Sequence, residues 1–102
     1  MRNRTEAGES MNIPAVTCIE DALSIYYCNS EIGNREIHAL FGSRSSATVS
    51  RLKNMVKDEM ANRGVLPYGK YKINTAIAFE VWGIDVDDLE KRRKKLKELG
   101  LQ

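Results

Sequence analysis

Histidine, cysteine, proline and the large aromatics are scarce in this chain of 102 residues: one His, two Cys, two Pro, one Trp and two Phe. Each shortage closes off a class of chemistry. Cys18 and Cys28 stand ten residues apart, with no CxxC pair and with His38 as the sole imidazole, so no metal site is expected. Both cysteines read as free or buried thiols of a reducing cytosol. Apolar residues make up 42% of the chain, yet no run of them approaches the length of a membrane span or a signal-peptide core. The expectation is a cytoplasmic protein with no membrane partner. Glycine-rich phosphate loops and nucleophile–histidine pairs are absent, and no spacing places two carboxylates in a cleft. An enzyme is not expected, and neither is a cofactor.

An excess of charge of one sign is missing too, since the net charge is only +2. Its distribution is uneven. Charges in residues 1–11 cancel, and residues 12–34 carry Glu20, Asp21 and Glu31 without a base, for −3. Residues 35–72 carry eight bases against three acids, for +5, whereas residues 73–102 carry six of each. Positive charge therefore gathers in the middle of the chain, as contact with a phosphate backbone requires.

That middle also has the clearest pattern. In Asn34 to Asn54, NREIHALFGSRSSATVSRLKN, the residues Ile37, Leu40 and Phe41 fall at helical spacing. Asn34 can cap this short helix, and Gly42 can end it in the left-handed conformation. Ser45 or Ser46 can cap a second helix, from about Ser46 to about Asn62, that buries Val49, Leu52, Val56 and Met60 and closes at Gly64. At about 100° per residue, Ala47, Ser50, Arg51 and Asn54 lie on the opposite face.

Two helices joined by a tight turn in this way resemble the helix-turn-helix of small bacterial and phage DNA-binding proteins, and SATVSRLK resembles the start of their recognition helices. The spacing from Gly42 to Val49 is one residue longer than is usual in that motif. The resemblance implies that the second helix lies in the major groove. Arg51 would then suit a bidentate contact to guanine and Asn54 one to adenine, with Ser50 bonding a base or phosphate and Ala47 packing on a thymine methyl. Ser45 and Ser46 stand at the groove-facing end of the helix. Arg44 and Thr48, with Ser43, border the turn and suit phosphates. Lys53 and Lys57 flank the buried seam and suit the backbone as well.

A single domain over residues 12–102 is expected behind a disordered tail, 1–11. Its fold should be all-α, about five helices around the central helix-turn-helix. Asn12 to Tyr27 reads as the first helix, opened by Pro14 and striped by Val16, Ile19, Leu23 and Tyr26. Cys28 to Gly33 reads as a short connection. Pro67 and Gly69 break any helix in VLPYGKYKIN, 65–74, while Lys70 to Ile73 alternates as a short strand would. This segment is expected to be an extended basic linker or a rudimentary wing, with Lys70 and Lys72 near phosphates. Asn74 can cap a nearly all-apolar helix through Trp82, and Asp85 a last helix to about Leu99, the two forming a helical hairpin over 75–99. In that last helix Asp87–Lys91, Asp88–Arg92 and Glu90–Lys94 are acid-first (i, i+4) pairs, and Val86, Leu89, Leu96 and Leu99 make an apolar stripe interrupted by Arg93.

Thr75 to Lys94 offers a second helix–turn–helix spacing, with Gly83 six residues before Leu89. Its outward positions include Asp85, Asp87 and Glu90, which would repel phosphates, so this pair reads as structural. The function expected is sequence-specific binding of double-stranded DNA, by a small transcriptional regulator or a phage or mobile-element accessory factor. A homodimer or higher homo-oligomer through the C-terminal helices would accompany it. The alternative is a helical protein–protein adaptor, or an oligomerising packaging component resembling a phage terminase small subunit.

Overall fold

A computed structural model describes residues 13–100 of the protein. The tail expected over 1–11 lies outside the described residues. Five helices and two short strands follow in order: α1 Ile19–Cys28, β1 Glu31–Ile32, α2 Asn34–Phe41, α3 Ser46–Arg63, β2 Ile73–Asn74, α4 Thr75–Val81 and α5 Val86–Glu98. The chain is mostly helical, as its periodicity predicts.

Several helix ends fall where local chemistry puts them. Gly42, at φ 83°, turns the chain out of α2 while its N–H bonds the His38 carbonyl at 2.8 Å. The Ser45 hydroxyl accepts from the Thr48 N–H at 3.2 Å, Asn74 Oδ1 from Ile77 at 2.9 Å and Asp85 Oδ1 from Asp88 at 3.2 Å, so α3, α4 and α5 each begin on a side-chain cap. At α2 the expected cap differs. Gly33 occupies that position and has no side chain to offer, and Asn34 is already helical.

The start of the first helix is corrected by seven residues, from Asn12 to Ile19. The N–H and hydroxyl of Thr17 both donate to the Leu40 carbonyl, at 2.9 and 3.2 Å, and pin the non-helical segment before α1 to the end of α2. Ile13 and Val16 pack on the core from that segment rather than from a helix.

Glu31 and Ile32, expected in a plain connection, form a strand. They pair antiparallel with β2, Glu31 opposite Asn74 and Ile32 opposite Ile73, and both isoleucines are fully buried. Only the end of the predicted strand 70–73 is extended. Lys70 and Tyr71 lie in a turn, with Tyr71 at φ 66°. Residues 64–72 are therefore a loop tethered by a non-local strand pair, not a hairpin wing. The Glu31 carboxylate tethers the loop again, accepting from the Tyr68 and Gly69 N–H groups at 2.6 and 2.8 Å.

One core joins all five helices. α4 packs chiefly on α3 and meets α1 through Phe79 and Tyr26, while α5 packs on α1. Trp82 donates its indole N–H to the Leu52 carbonyl at 3.1 Å inside the core, and its ring meets Phe41 edge-on at 5.4 Å. Of the expected pairs within α5, Asp88–Arg92 forms, at 2.8 Å. Glu90 instead takes Arg93 at 2.7 Å and the Tyr27 hydroxyl at 2.6 Å, while Arg93 reaches Glu20 at 3.7 Å. Arg93 thus ties α5 to α1 rather than interrupting a free apolar stripe.

Thr75 carries the one buried side-chain oxygen without a hydrogen-bond partner among the described residues. Burying a hydroxyl unpaired costs roughly 1–3 kcal/mol, and valine has nearly the same shape. Thr75→Val should therefore raise the unfolding free energy in urea by about 1 kcal/mol; a loss of stability would mean the hydroxyl has a partner. Ser45→Ala should lower it by about 1 kcal/mol through the lost cap of α3.

Candidate nucleic-acid interface

On α3 the apolar positions Val49, Leu52, Val56 and Met60 are buried, and helical spacing turns Ala47, Arg51 and Asn54 away from them. All three are exposed, as are Ser45, Ser46 and Ser50. The outward row turns acidic at Asp58, one turn beyond Asn54. The acid-free part of α3 is therefore its first three turns, Ser46 to Lys57, roughly 18 Å of helix at 1.5 Å per residue.

Two of the expected phosphate-facing residues have work inside the chain. Thr48 is half-buried, and its hydroxyl accepts from Ser45 Oγ at 3.1 Å as part of the cap. Arg44 donates its Nε–H to the Phe41 carbonyl at 3.1 Å, closing the end of α2, and its backbone N–H points to His38 Nδ1 at 3.4 Å. Arg44 is nonetheless exposed.

The largest departure from expectation is Lys53. It was expected on the flank of the seam, facing a DNA backbone, but only 8% of it is exposed. Its ammonium donates to Asn34 Oδ1 at 3.1 Å and to the Tyr71 carbonyl at 2.8 Å. One side chain thus ties α3 to the start of α2 and to the loop before β2. Tyr71 sits in the left-handed region, rare for a bulky residue, and aims its carbonyl at Lys53 while its ring stays exposed beneath Lys70, whose Nζ lies 5.4 Å from the ring centre. Burial pushes the Lys53 ammonium below its ordinary pKa, and the positive charges of Lys57 and Lys72 push it the same way.

Asn34 and Lys53 are also where two clefts meet. A small one, about 160 Å³, is lined by His38, Arg44, Ser46 and Ser50 as well. A larger one, about 410 Å³, runs from Arg35 to Lys70, Tyr71 and Lys72. The fold therefore brings the start of α3 and the 70–72 loop onto one continuous surface, although they lie some twenty residues apart in sequence. Arg35 belongs to this surface and was missed, because a lone arginine in the first turn of a short helix carries no signal of its own. The burial of Lys53 had one: it stands four residues after Val49, beside Leu52 on the apolar face.

Charge pairing separates this surface from its surroundings. Of the eight bases in residues 35–72, Arg63 alone meets carboxylates, Glu59 at 2.7 Å and Glu80 at 3.0 Å. Arg35, Arg44, Arg51, Lys53, Lys57, Lys70 and Lys72 form no ion pair among the described residues. Two neighbouring acids are engaged by backbone instead: Glu31 as above, and Glu36 by the Gly33 N–H at 2.8 Å. No group of His, Cys, Asp and Glu able to hold a metal occurs among the described residues, nor is any helix there long and apolar enough to cross a membrane.

No family model, curated protein or solved structure matches the chain.

The Lys53 environment has a pH signature. Its folded pKa lies below the ordinary lysine value of 10.5, so between the two values the unfolded chain binds the proton more readily than the folded one. Raising pH through that window should stabilise the wild type relative to Lys53→Met. Denaturation midpoints of both proteins between pH 7 and about 10.5 check this: the difference should move in favour of the wild type, and a constant difference would refute the burial argument.

Proposed function

We propose that the protein binds duplex DNA in a sequence-specific manner, with α2, the turn 42–45 and α3 acting as a helix-turn-helix and the first turns of α3 entering the major groove. The observation that carries this reading is the set of seven cations on and around α3, the buried Lys53 among them, that form no ion pair among the described residues. A surface built only for solvent has no need to gather like charges beside a buried ammonium, whereas counterion release from a phosphate backbone rewards it. The exposed row of Ala47, Arg51 and Asn54, with Ser46 and Ser50 at its edge, supplies side chains of the kinds that read base edges. Arg44, Lys57, Lys70 and Lys72 are the phosphate contacts of this reading, and Thr48 contributes by fixing the start of the helix. Small regulators and accessory factors of recombination or packaging are the roles this architecture suits.

A second reading, a protein–protein adaptor or oligomerising component, is favoured by different residues from those first suspected. Leu89 and most of α4 are buried inside the chain, leaving Leu99 as the exposed large apolar residue of the α5 stripe. The apolar surface that such a partner would cover is at the loop, where Leu66, Tyr68 and Tyr71 are 82%, 97% and 71% exposed.

Selection of bound duplexes from a random pool at about 150 mM salt separates the two readings. An enriched motif is expected for the wild type, and a palindrome in it would indicate a two-fold dimer. Arg51→Ala should cost roughly 1–3 kcal/mol and relax preference at one base pair, whereas Lys70→Ala should weaken all sequences about equally and flatten the salt dependence. Failure to enrich any motif would remove the sequence-specific reading and favour the adaptor.

A further inference from the structure

We infer that the cleft between the first turn of α2 and the 70–72 loop is a socket for a single phosphate oxyanion. Its duplex source rests on the DNA-binding reading above: one phosphodiester of the backbone beside the groove that α3 enters.

The cleft, about 410 Å³, is lined by four cationic side chains, Arg35, Lys53, Lys70 and Lys72, and by one acid, Glu36. Glu36 keeps its negative charge but forms no ion pair with them, its carboxylate accepting from the Gly33 N–H at 2.8 Å, so the four cations still outnumber it. At the floor stands Lys53, more than nine-tenths buried. Two of its three ammonium protons go to neutral oxygens, of Asn34 and Tyr71, and no third acceptor and no carboxylate meets it among the described residues. An ammonium taken out of water without a counter-charge is costly. Here the neighbouring charges add to that cost, because Lys72 is of the same sign and lies along Gly33, its Nζ 3.5 Å from where a Cβ would stand. An anion entering the cleft would relieve both terms at once.

The backbone points the same way. Gly33 gives α2 no side-chain cap, and Asn34, Arg35 and Glu36 of its first turn, whose N–H groups by helix geometry have no acceptor within the helix, line this edge of the cleft. Together they offer several N–H donors and up to four positive charges. That matches a tetrahedral oxyanion with several acceptor oxygens better than a planar carboxylate. Lys70 and Lys72 come from the loop and Arg35 from α2, so an anion held here would also fix the loop against the helix pair.

The test uses the full ¹⁵N-labelled chain without DNA, titrated with inorganic phosphate to about 50 mM at constant ionic strength. Saturable shifts confined to the amides of residues 33–36 and 69–72 are expected, with no such response to chloride. Lys72→Ala should weaken the apparent affinity roughly fivefold or more, and Lys94→Ala on α5 should leave it unchanged. Lys53→Met should abolish saturation; should that variant not fold, Lys70→Ala with Lys72→Ala takes its place. Absence of saturation, or an equal response to chloride, would overturn the socket whether or not the protein binds DNA. In a second arm, each phosphate of a bound duplex is replaced singly by an uncharged methylphosphonate. One position should weaken wild-type binding roughly tenfold and lose that penalty in Lys72→Ala. A saturable phosphate site with no such position would overturn the duplex source and assign the socket to free phosphate. A protein that saturates with phosphate but binds no duplex would sink the DNA-binding reading and leave the socket standing.

Discussion

The indole of Trp82 donates its single proton to the Leu52 carbonyl in the middle of α3, in a buried bond of 3.1 Å, while its ring meets Phe41 at the end of α2. This contact joins α2, α3 and α4 at the centre of the core, and the Lys53 bond to Asn34 ties α3 to α2 at its other end. α2 is eight residues long, below the length at which a helix is stable alone in water. Its orientation comes from the apolar face of Ile37, Leu40 and Phe41, and Phe41 is located by Trp82. α4 is shorter still, at seven residues, and exists because Thr75, Ile77, Ala78 and Phe79 have somewhere to be buried. The face that α3 presents to solvent is therefore set from behind, by a residue that never reaches the surface.

Around that frame the chain divides its charges into two kinds. On the α1–α5 side they are spent on structure: Arg93 spans Glu20 and Glu90, and Tyr27 leans on Glu90 as well. At the far end of α3, Arg63 joins Glu59 to Glu80 of α4, and that pairing lowers the Glu80 pKa through the hydrogen bond first and the charge second. Exposed pairs of this sort contribute little each. The remaining cations of 35–72 form no ion pair among the described residues. Four of them, Arg35, Lys53, Lys70 and Lys72, share one cleft because β1 and β2 pair and bring Lys70 and Lys72 back to the start of α2.

What the sequence made legible is what local chemistry decides. Gly42, Ser45, Gly64, Asn74 and Asp85 mark the helix ends because each acts on neighbours within four residues, and the stripe Val49, Leu52, Val56, Met60 names the buried face of α3 by spacing alone. What was hidden depends on partners far along the chain. Thr17 bonds Leu40, and the stretch before Ile19, which the apolar spacing of Val16, Ile19 and Leu23 joins to the helix, stays non-helical. Glu31 and Ile32 are too few to declare a strand until Ile73 and Asn74 arrive opposite them. The exposed row of Ala47, Arg51 and Asn54 was legible for the same reason as the stripe it opposes, whereas the cleft beside it was not, since it needs Arg35, Lys53 and Lys72 from three separate elements.

Lys53 is where stability and binding come into conflict. A methionine or leucine at that place would fill the seam between α3 and the loop without desolvating a charge, and by the logic of buried ions it would cost the fold less. The ammonium holds the loop through the Tyr71 carbonyl and the start of α2 through Asn34, yet neutral donors could have done as much. What an amide or hydroxyl could not supply is a positive charge at the floor of a cleft whose rim is already cationic. If the charge is the reason for the residue, the free protein carries a local destabilisation that an arriving anion removes. Binding energy is then gained where the unbound fold is least satisfied, a common cost of sites that must be ready before their ligand arrives. In that arrangement the loop, α2 and α3 are set by the same anion, and under the DNA-binding reading we propose, contact at a single phosphate would also fix the angle at which Arg51 and Asn54 approach the bases.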